Sequence, residues 1–297
     1  MKPRPQPRLL VLGAGTAQLG LLEAARAQDV FVIAVDGEAS APGFRLADRR
    51  ALIACEDEAA IHRLAEAERI DAVISAGSDL TVGIAARVAH RLGLPHALAP
   101  AVAVLATSRL KQRERFVEAG VPHVPWRLAT HEHDDVQVPC VVKPSDRGGH
   151  GLSVVRDRSE LPAAIRAAID CSRSATALVE ELVEGPEVIV HGFTVRGVFH
   201  ELLTADPGGL GELAAAAVVS LGIEAGPTQT EIRLGPEGPR VAEVVATHDA
   251  TLWREPGGLD VNLLVLKGAL GEPIDVADLV PFGTAHAASP NPVKAAA

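Results

Sequence analysis

The sequence predicts an α/β protein in two parts: a doubly wound parallel sheet, then an α+β region built on antiparallel hairpins. Three observations carry this. Apolar, strand-like runs alternate with amphipathic helices up to about residue 100. Beyond that point short alternating runs are punctuated by Gly and Pro turns. A chain of 297 residues with 47% hydrophobic and 22% charged residues also has material for more than one core.

Taken in order, residues 8–36 read as strand, turn, helix and strand: "RLLVLGAG", "AQLGLLEAARAQ" and "VFVIAVD". A second unit comes next, with "EDEAAIHRLAEAER" as an amphipathic helix and "IDAVISAG" as a buried strand. "SDLTVGIAARVAHRLGLP" is the next helix, opened by a Ser78–Asp79 cap signal. In such a sheet the ligand sits beyond the carboxyl ends of the strands, here at Gly13–Gly15, Asp36 and Ser75–Asp79. Near residue 100 the pattern changes. "SRLKQRERFVEAGVPHVPW" is a charged helix closed by Gly120 and Pro122. Short β runs succeed it at 139–143, 151–155, 177–183, 187–195 and 229–245, with the helix "ELPAAIRAAIDC" among them. The final "FGTAHAASPNPVKAAA" reads as a loose tail.

Composition removes several function classes. A net charge of −10 argues against general affinity for nucleic acid or anionic membranes, while leaving room for a local cationic pocket. No segment approaches the roughly 20 apolar residues of a membrane span. Three glycines interrupt the apolar run after the basic N-terminus, so a strand–turn–helix explains it better than a signal peptide. Cys55, Cys140 and Cys171 are odd in number and lack metal-ligand spacing, which suits reduced thiols in a cytoplasmic protein.

Two glycine clusters suggest phosphate chemistry. In "GAGTAQLG" a dinucleotide reading is attractive because Asp36 ends the next strand near the expected spacing. Gln18, however, stands where the third glycine would let helix and strand pack beside a pyrophosphate. The alternative is a tight βα turn whose helix N-terminus accepts any small anion. In "PCVVKPSDRGGHGLSVV" a lysine ends an apolar strand, and Gly148, Gly149 and Gly151 come after it. A Walker loop has the reverse order. Here Lys143 could supply a point charge and the loop close backbone N–H groups, gripping a phosphate from two sides. A solvated strand-end lysine beside a plain hairpin is the other reading.

"TQTEIRLGPEGPRVAEVV" reads as a hairpin turning at "GPEGP". Folding it about Glu237 sets Glu231 directly opposite Glu243, a like-charge pair that destabilises the sheet unless something offsets it. A shared proton or a cation would do so, and hard oxygen ligands favour Mg²⁺. A bulge that slips the register would instead turn both glutamates to water. In "LVEELVEGPEVIV", Glu180, Glu181 and Glu187 flank a Gly-Pro turn, where a glutamate either accepts from ribose hydroxyls or is merely solvated. Lys111 has the ordinary reading of a surface charge, and His248–Asp249 is a candidate acid–base pair.

In this order the motifs resemble the ATP-grasp superfamily. "LGAGTAQLGLLEAARAQDVFVIAVD" looks like its Rossmann-like N-terminal domain, and "LKQRERFVEAGVPHVP" like the helix that opens the grasp domain. "CVVKPSDRGGHG" is similar to its second lysine and glycine loop, "VEELVEGPE" to its hinge and ribose segment, and the hairpin to its metal-ligand strands. The resemblance implies a preceding domain at 1–100, an ATP-grasp domain at 101–275 with a subdomain boundary near 175, and a tail at 276–297. Lys111 and Lys143 would contact ATP phosphates, with Gly148, Gly149 and Gly151 closing over them. Glu180, Glu181, Leu182 and Val183 would form the adenine hinge and Glu187 would bind ribose. Glu231 and Glu243 would hold Mg²⁺, with Mn²⁺ as an alternative ion.

The family resemblance further implies an ATP-dependent ligase that joins small-molecule carboxylates and amines through an acyl phosphate, with homodimer formation left open. A non-catalytic ATP-binding protein and an NAD(P)-dependent oxidoreductase are the rivals. The chain departs from the family pattern after Glu243: an asparagine two residues on and an arginine beyond it are replaced by Val245, Thr247 and "HDATLW". It is also shorter between "FHELLTADPGG" and "LGELAAAAVVSLGIEAGP", and stops before the C-terminal lobe many ligases carry. Omitted loops, truncation and lost activity each account for this, and the glycine-rich loops favour the first.

Overall fold

The structure is a computed structural model, and it describes residues 6–77, 79–132, 134, 136–146, 151–204, 208–248 and 259–279. The first sheet is parallel. Its strands β1 (Arg8–Leu12), β2 (Phe31–Asp36), β3 (Arg49–Leu52) and β4 (Ala72–Ser75) lie in the order β3-β2-β1-β4. The crossovers are α1 (Leu19–Ala27) and α2 (Glu58–Glu68), and α3 (Asp79–Leu92) comes after β4. Alternate residues of β1 serve opposite cores: Leu9 and Val11 pack with Leu21 and Leu22 of α1, while Leu10 and Leu12 pack with Ile61 of α2 and Val88 of α3. Burial on both faces is why β1, β2 and β4 read as unbroken apolar runs.

Two short helices come next, α4 (Pro100–Ala106) and α5 (Arg109–Ala119). Ser108 caps α5 through the Lys111 N–H, and Gly120, with φ +67°, ends it in the left-handed conformation. The second sheet contains β5 (Trp126–Ala129), β6 (Cys140–Pro144), β7 (Ser153–Val155) and β8 (Ala177–Glu181) in the antiparallel order β5-β8-β6-β7. Helix α6 (Leu161–Cys171) covers one of its faces, burying Cys140, Val142, Ala177 and Val179.

The third sheet has β9 (Glu187–Val195), β10 (Val198–Thr204), β11 (Gly226–Gly235) and β12 (Gly238–Val245), in the order β10-β9-β11-β12, with α7 (Gly211–Ser220) between β10 and β11 in sequence. Val188, Val190, Ile232, Val241 and Val244 face α4, α5 and α7. The last helix, α8 (Val261–Ala269), packs on α1, β4 and β11 and so ties the first sheet to the third. Of the tail expected from residue 276, a 3-10 turn at Val276–Asp278 and a buried Leu279 are described, and Leu279 packs in one cluster with Phe193 and Leu264. The rest of that tail lies outside the described residues.

Several elements differ from the sequence reading. β3, with the sequence RRAL, is an edge strand too polar to carry an apolar signature. β5 and β10 were not expected, nor were α4, α7 and α8. The hairpin turn holds only Pro236 and Glu237, because Gly235 pairs with Gly238. The register then shifts between Glu231 and Ile232, so that Ala242 is an extra, unpaired residue and Glu231 still faces Glu243.

Candidate functional site

The uncovered faces of the second and third sheets hold the charged residues. On the second sheet Val142 and Val179 point toward α6, which leaves Lys143 and Glu180 on the opposite face. On the third sheet Val188, Val190 and Ile232 point toward the helices, which leaves Glu187, Ile189, His191, Glu231 and Arg233 on the other side. Glu243 joins them because the extra residue Ala242 turns it away from Val241 and Val244.

Lys143, 6% exposed, places its Nζ 2.7 Å from Glu180 Oε2. Arg113, fully buried, donates from Nε (2.9 Å) and Nη2 (2.5 Å) to Glu180 Oε1, and also to the carbonyl of Ala242. Arg109 donates to Glu243 Oε2 at 3.0 Å. Gln112 spans the edge of β12, donating to Val244 O (2.7 Å) and accepting from Val244 N (2.9 Å). Arg109, Gln112, Arg113 and the buried Phe116 thus form one face of α5, at the i, i+3, i+4, i+7 spacing of a helix.

The charges of this group are unequal: Arg109, Arg113 and Lys143 surround the paired carboxylates Glu180 and Glu243. Burial pushes the Glu180 carboxyl up, but Lys143 and Arg113 outweigh it and hold it below the usual carboxylate range. Glu243 behaves likewise: burial raises it, yet Arg109, Lys143 and Arg113 bring it down to about 2. The Lys143 ammonium is pushed down by burial and by the two guanidiniums, against the pull of Glu180 and Glu243. Excess positive charge and burial together explain all three directions.

Lys111 stands apart from this cluster. It is exposed on α5, two residues from Arg109, and the cations that enter the cluster from this helix are Arg109 and Arg113. Their signal was the helical spacing from Phe116, which Lys111 does not share. Arg109 offsets part of the repulsion between Glu231 and Glu243 by pairing with Glu243. The pair still fits Mg²⁺: both carboxylates lie on one face of a directly opposed position, and this ion takes one or two carboxylates with substrate phosphates.

The hinge residues separate. Glu180 sends its side chain into the ion cluster, whereas Glu181 is exposed on the opposite face of β8. The N–H groups of Glu181 and Leu182 donate to Pro125 O (3.0 Å) and Pro139 O (3.3 Å). Val183 N–H donates to no atom among the described residues, and the Val183 side chain packs over Gly235. At Gly185, φ is +147° and a Cβ would lie 1.9 Å from Leu234 O, so only glycine passes there. Glu187 forms an ion pair with Arg233 at 2.5 Å. Gly148 and Gly149 lie outside the described residues. Gly151 packs against Pro144 and Cys171, so its missing side chain serves packing on the α6 side.

Other candidates have structural work. Asp36 accepts from Ala14 N (2.7 Å) and Glu38 N (2.9 Å), so both carboxylate oxygens are engaged, and the Gln18 amide lies against Gly13 and donates to Ala76 O. The glycine turn is thereby filled from within, which removes the support for a nicotinamide cofactor. His248 is buried with Nε2 2.8 Å from Asn262 Oδ1, while Asp249 lies outside the described residues. The sequence runs without a break from Glu243 to Asp260, so no omitted loop supplies an asparagine two residues after Glu243, and Arg254, the arginine of this stretch, lies outside the described residues. No helix among the described residues is long and apolar enough to cross a membrane.

Comparison with known proteins places this geometry. The family model for the D-ala D-ala ligase C-terminus matches residues 113–195. The formate-dependent phosphoribosylglycinamide formyltransferase of Bordetella bronchiseptica is 30% identical over 213 residues, covering 66% of this chain and 52% of that protein. That of Pelobacter propionicus is 30% identical over 190 residues, covering 60% and 47%. The chain therefore spans about half the length of the curated relatives it matches. Among solved structures, an L-amino acid ligase from Bacillus licheniformis superposes with a TM-score of 0.76 at 22% identity, covering 94% of this chain and 78% of the other. Carboxyaminoimidazole ribonucleotide synthase from Aspergillus clavatus, complexed with ATP, gives 0.74 at 16% identity, with 92% and 79% coverage. The chain thus has the fold of the ATP-grasp ligases it superposes on, and its residues 113–195 are similar to the D-ala D-ala ligase C-terminus.

Proposed function

We propose that the protein is an ATP- and Mg²⁺-dependent ligase that joins a carboxylate to an amine. One observation carries this reading: the buried set of Arg109, Arg113, Lys143, Glu180 and Glu243, with Glu231 opposite Glu243, between two antiparallel sheets. Three cations gathered on one face suit a polyanion, and the opposed glutamates suit a divalent ion shared with its phosphates. Mg²⁺, or Mn²⁺ in its place, would supply charge neutralisation. Glu243 would exchange Arg109 for the ion, freeing the guanidinium for a phosphate oxygen. Val183 N–H is the available hinge donor for a purine ring, and Glu187 is placed for ribose at the hinge end of β9.

The reaction divides into two displacements. A carboxylate oxygen of the first substrate attacks the γ-phosphorus, the bond to the β–γ bridging oxygen breaks, and ADP leaves. The amine nitrogen of the second substrate attacks the acyl carbon, inorganic phosphate departs with the bonding pair, and the amine proton passes to solvent. Lys143, Arg109 and Arg113 hold the phosphates in line and offset the charge that builds on the leaving oxygen, which is most of what such catalysis asks of a protein.

The test is ADP release from Mg-ATP on addition of paired carboxylates and amines. Release that depends on both substrates and on Mg²⁺ is expected. Tight ATP binding without release across a broad panel would favour a non-catalytic nucleotide-binding protein, a reading motivated by the run Val244, Val245, Ala246, Thr247 where an arginine-bearing segment is expected.

A further inference from the structure

A cavity of about 270 Å³ lies at the far end of the site face from the hinge. Its walls include Ser75 at the end of β4, His96, Phe193 on β9, Pro227 on β11, His248 and Leu264 on α8. Among the described residues that line it there is no lysine, arginine, aspartate or glutamate. Its polar groups are the hydroxyls of Ser75 and Thr247 and the imidazoles of His96 and His248. His96 turns Nδ1 toward its own chain, 3.0 Å from Leu98 O and 3.1 Å from Leu98 N. Burial lowers its pKa, so this imidazole brings no charge to the cavity at neutral pH.

The order of residues along the strands connects this cavity to the phosphate cluster. On β9, Glu187 stands at the hinge end, Ile189 pairs with Glu231, and Phe193 reaches the cavity. On the other side Thr247 lies four residues beyond Glu243, in the bend that follows the end of β12 at Val245. A nucleotide with its ribose at Glu187 and its phosphates at Glu231 and Glu243 therefore points its transferable end toward the cavity.

We infer that the substrate seated here carries an uncharged apolar group of up to about ten non-hydrogen atoms, as the side chain of a hydrophobic amino acid does, and not a phosphorylated sugar. The size comes from comparison with an apolar cavity of about 150 Å³, which holds one benzene. The exclusion comes from charge: the described lining residues offer no lysine or arginine to a buried phosphate, which without a cationic partner is strongly disfavoured. This inference rests on the ligase reading and sets the chain apart from those relatives whose names specify phosphoribosylglycinamide.

The experiment compares kcat/KM, by phosphate release, for leucine, methionine and phenylalanine against aspartate, lysine and phosphoribosylglycinamide. At least a tenfold preference for the apolar compounds is expected. Ala225→Trp, on the cavity wall, should lower kcat/KM for phenylalanine at least tenfold while ATP affinity, set at the other end of the site, changes less than twofold. Ala225→Leu replaces it should the larger residue prevent folding. Preference for charged or phosphorylated compounds, or an unchanged kcat/KM in the filled variant, overturns the inference and leaves the ligase reading standing. No phosphate release with any compound overturns the ligase reading instead. The cavity is then decided by saturation-transfer NMR with phenylalanine: transfer that Ala225→Trp abolishes supports the site, and no transfer refutes it.

Discussion

Replacing Glu243 with Gln measures whether the opposed glutamates weaken or support the metal-free fold. A glutamate ordinarily ionises near 4.5; burial alone would raise Glu243, but Arg109, Lys143 and Arg113 bring it to about 2. With each tenfold ratio worth about 1.4 kcal/mol, ionised Glu243 contributes on the order of 3 kcal/mol at neutral pH. Because the folded value lies below the unfolded one, this contribution is complete above about pH 4.5 and is lost as pH falls toward 2. Glutamine keeps one acceptor for Arg109 but no charge. The variant, free of metal and nucleotide, should therefore be less stable by about 2–3 kcal/mol at pH 7, and the gap should narrow on acidification below the unfolded value. Urea denaturation at pH 7 and at pH 4 reads both effects. The paired carboxylates considered alone give the opposite sign, since removing one relieves like-charge repulsion. A variant at least as stable as wild type at pH 7 would refute the argument from Arg109.

Three further outcomes are expected. Arg109→Ala should weaken ATP binding about tenfold to a hundredfold, the worth of a charge-assisted hydrogen bond, while Lys111→Ala stays within about twofold by isothermal calorimetry. Glu180→Gln leaves Lys143 and Arg113 buried without their carboxylate, and should cost about 3–5 kcal/mol in denaturation experiments. Chelation of divalent ions should abolish ADP release, and Glu231→Gln should raise the Mg²⁺ concentration for half-maximal release without changing the affinity for metal-free ATP.

The legible parts of the fold were those whose burial leaves a local pattern. β1, β2 and β4, apolar on both faces, stood out as runs, and β9 was bounded correctly by its alternation and its Gly-Pro turn. β3 was hidden because an exposed edge strand needs no apolar face. α7 was hidden for the opposite reason: its Ala- and Val-rich sequence has no polar stripe to reveal a helical period. In the site, Lys143 and the Glu231–Glu243 pairing were visible because each depends on neighbours within one hairpin. Arg109 and Arg113 were not, since their carboxylate partners lie 134 and 67 residues away in sequence. The same distance effect hid the partners of the Glu180 side chain, since Arg113 arrives from another element.

The unpaired Ala242 gives the hairpin a parity. An even number of residues added or removed between Glu231 and Glu243 would preserve the side to which each carboxylate points; an odd number would swing one of them into the aliphatic layer beneath α5 and α7. Natural drift in the length of this turn is thus filtered in steps of two, or in single steps only where a compensating kink arises beside the first. A library of one- and two-residue deletions across 232–242 would display that filter directly, as survivors separated by their arithmetic and not by their chemistry.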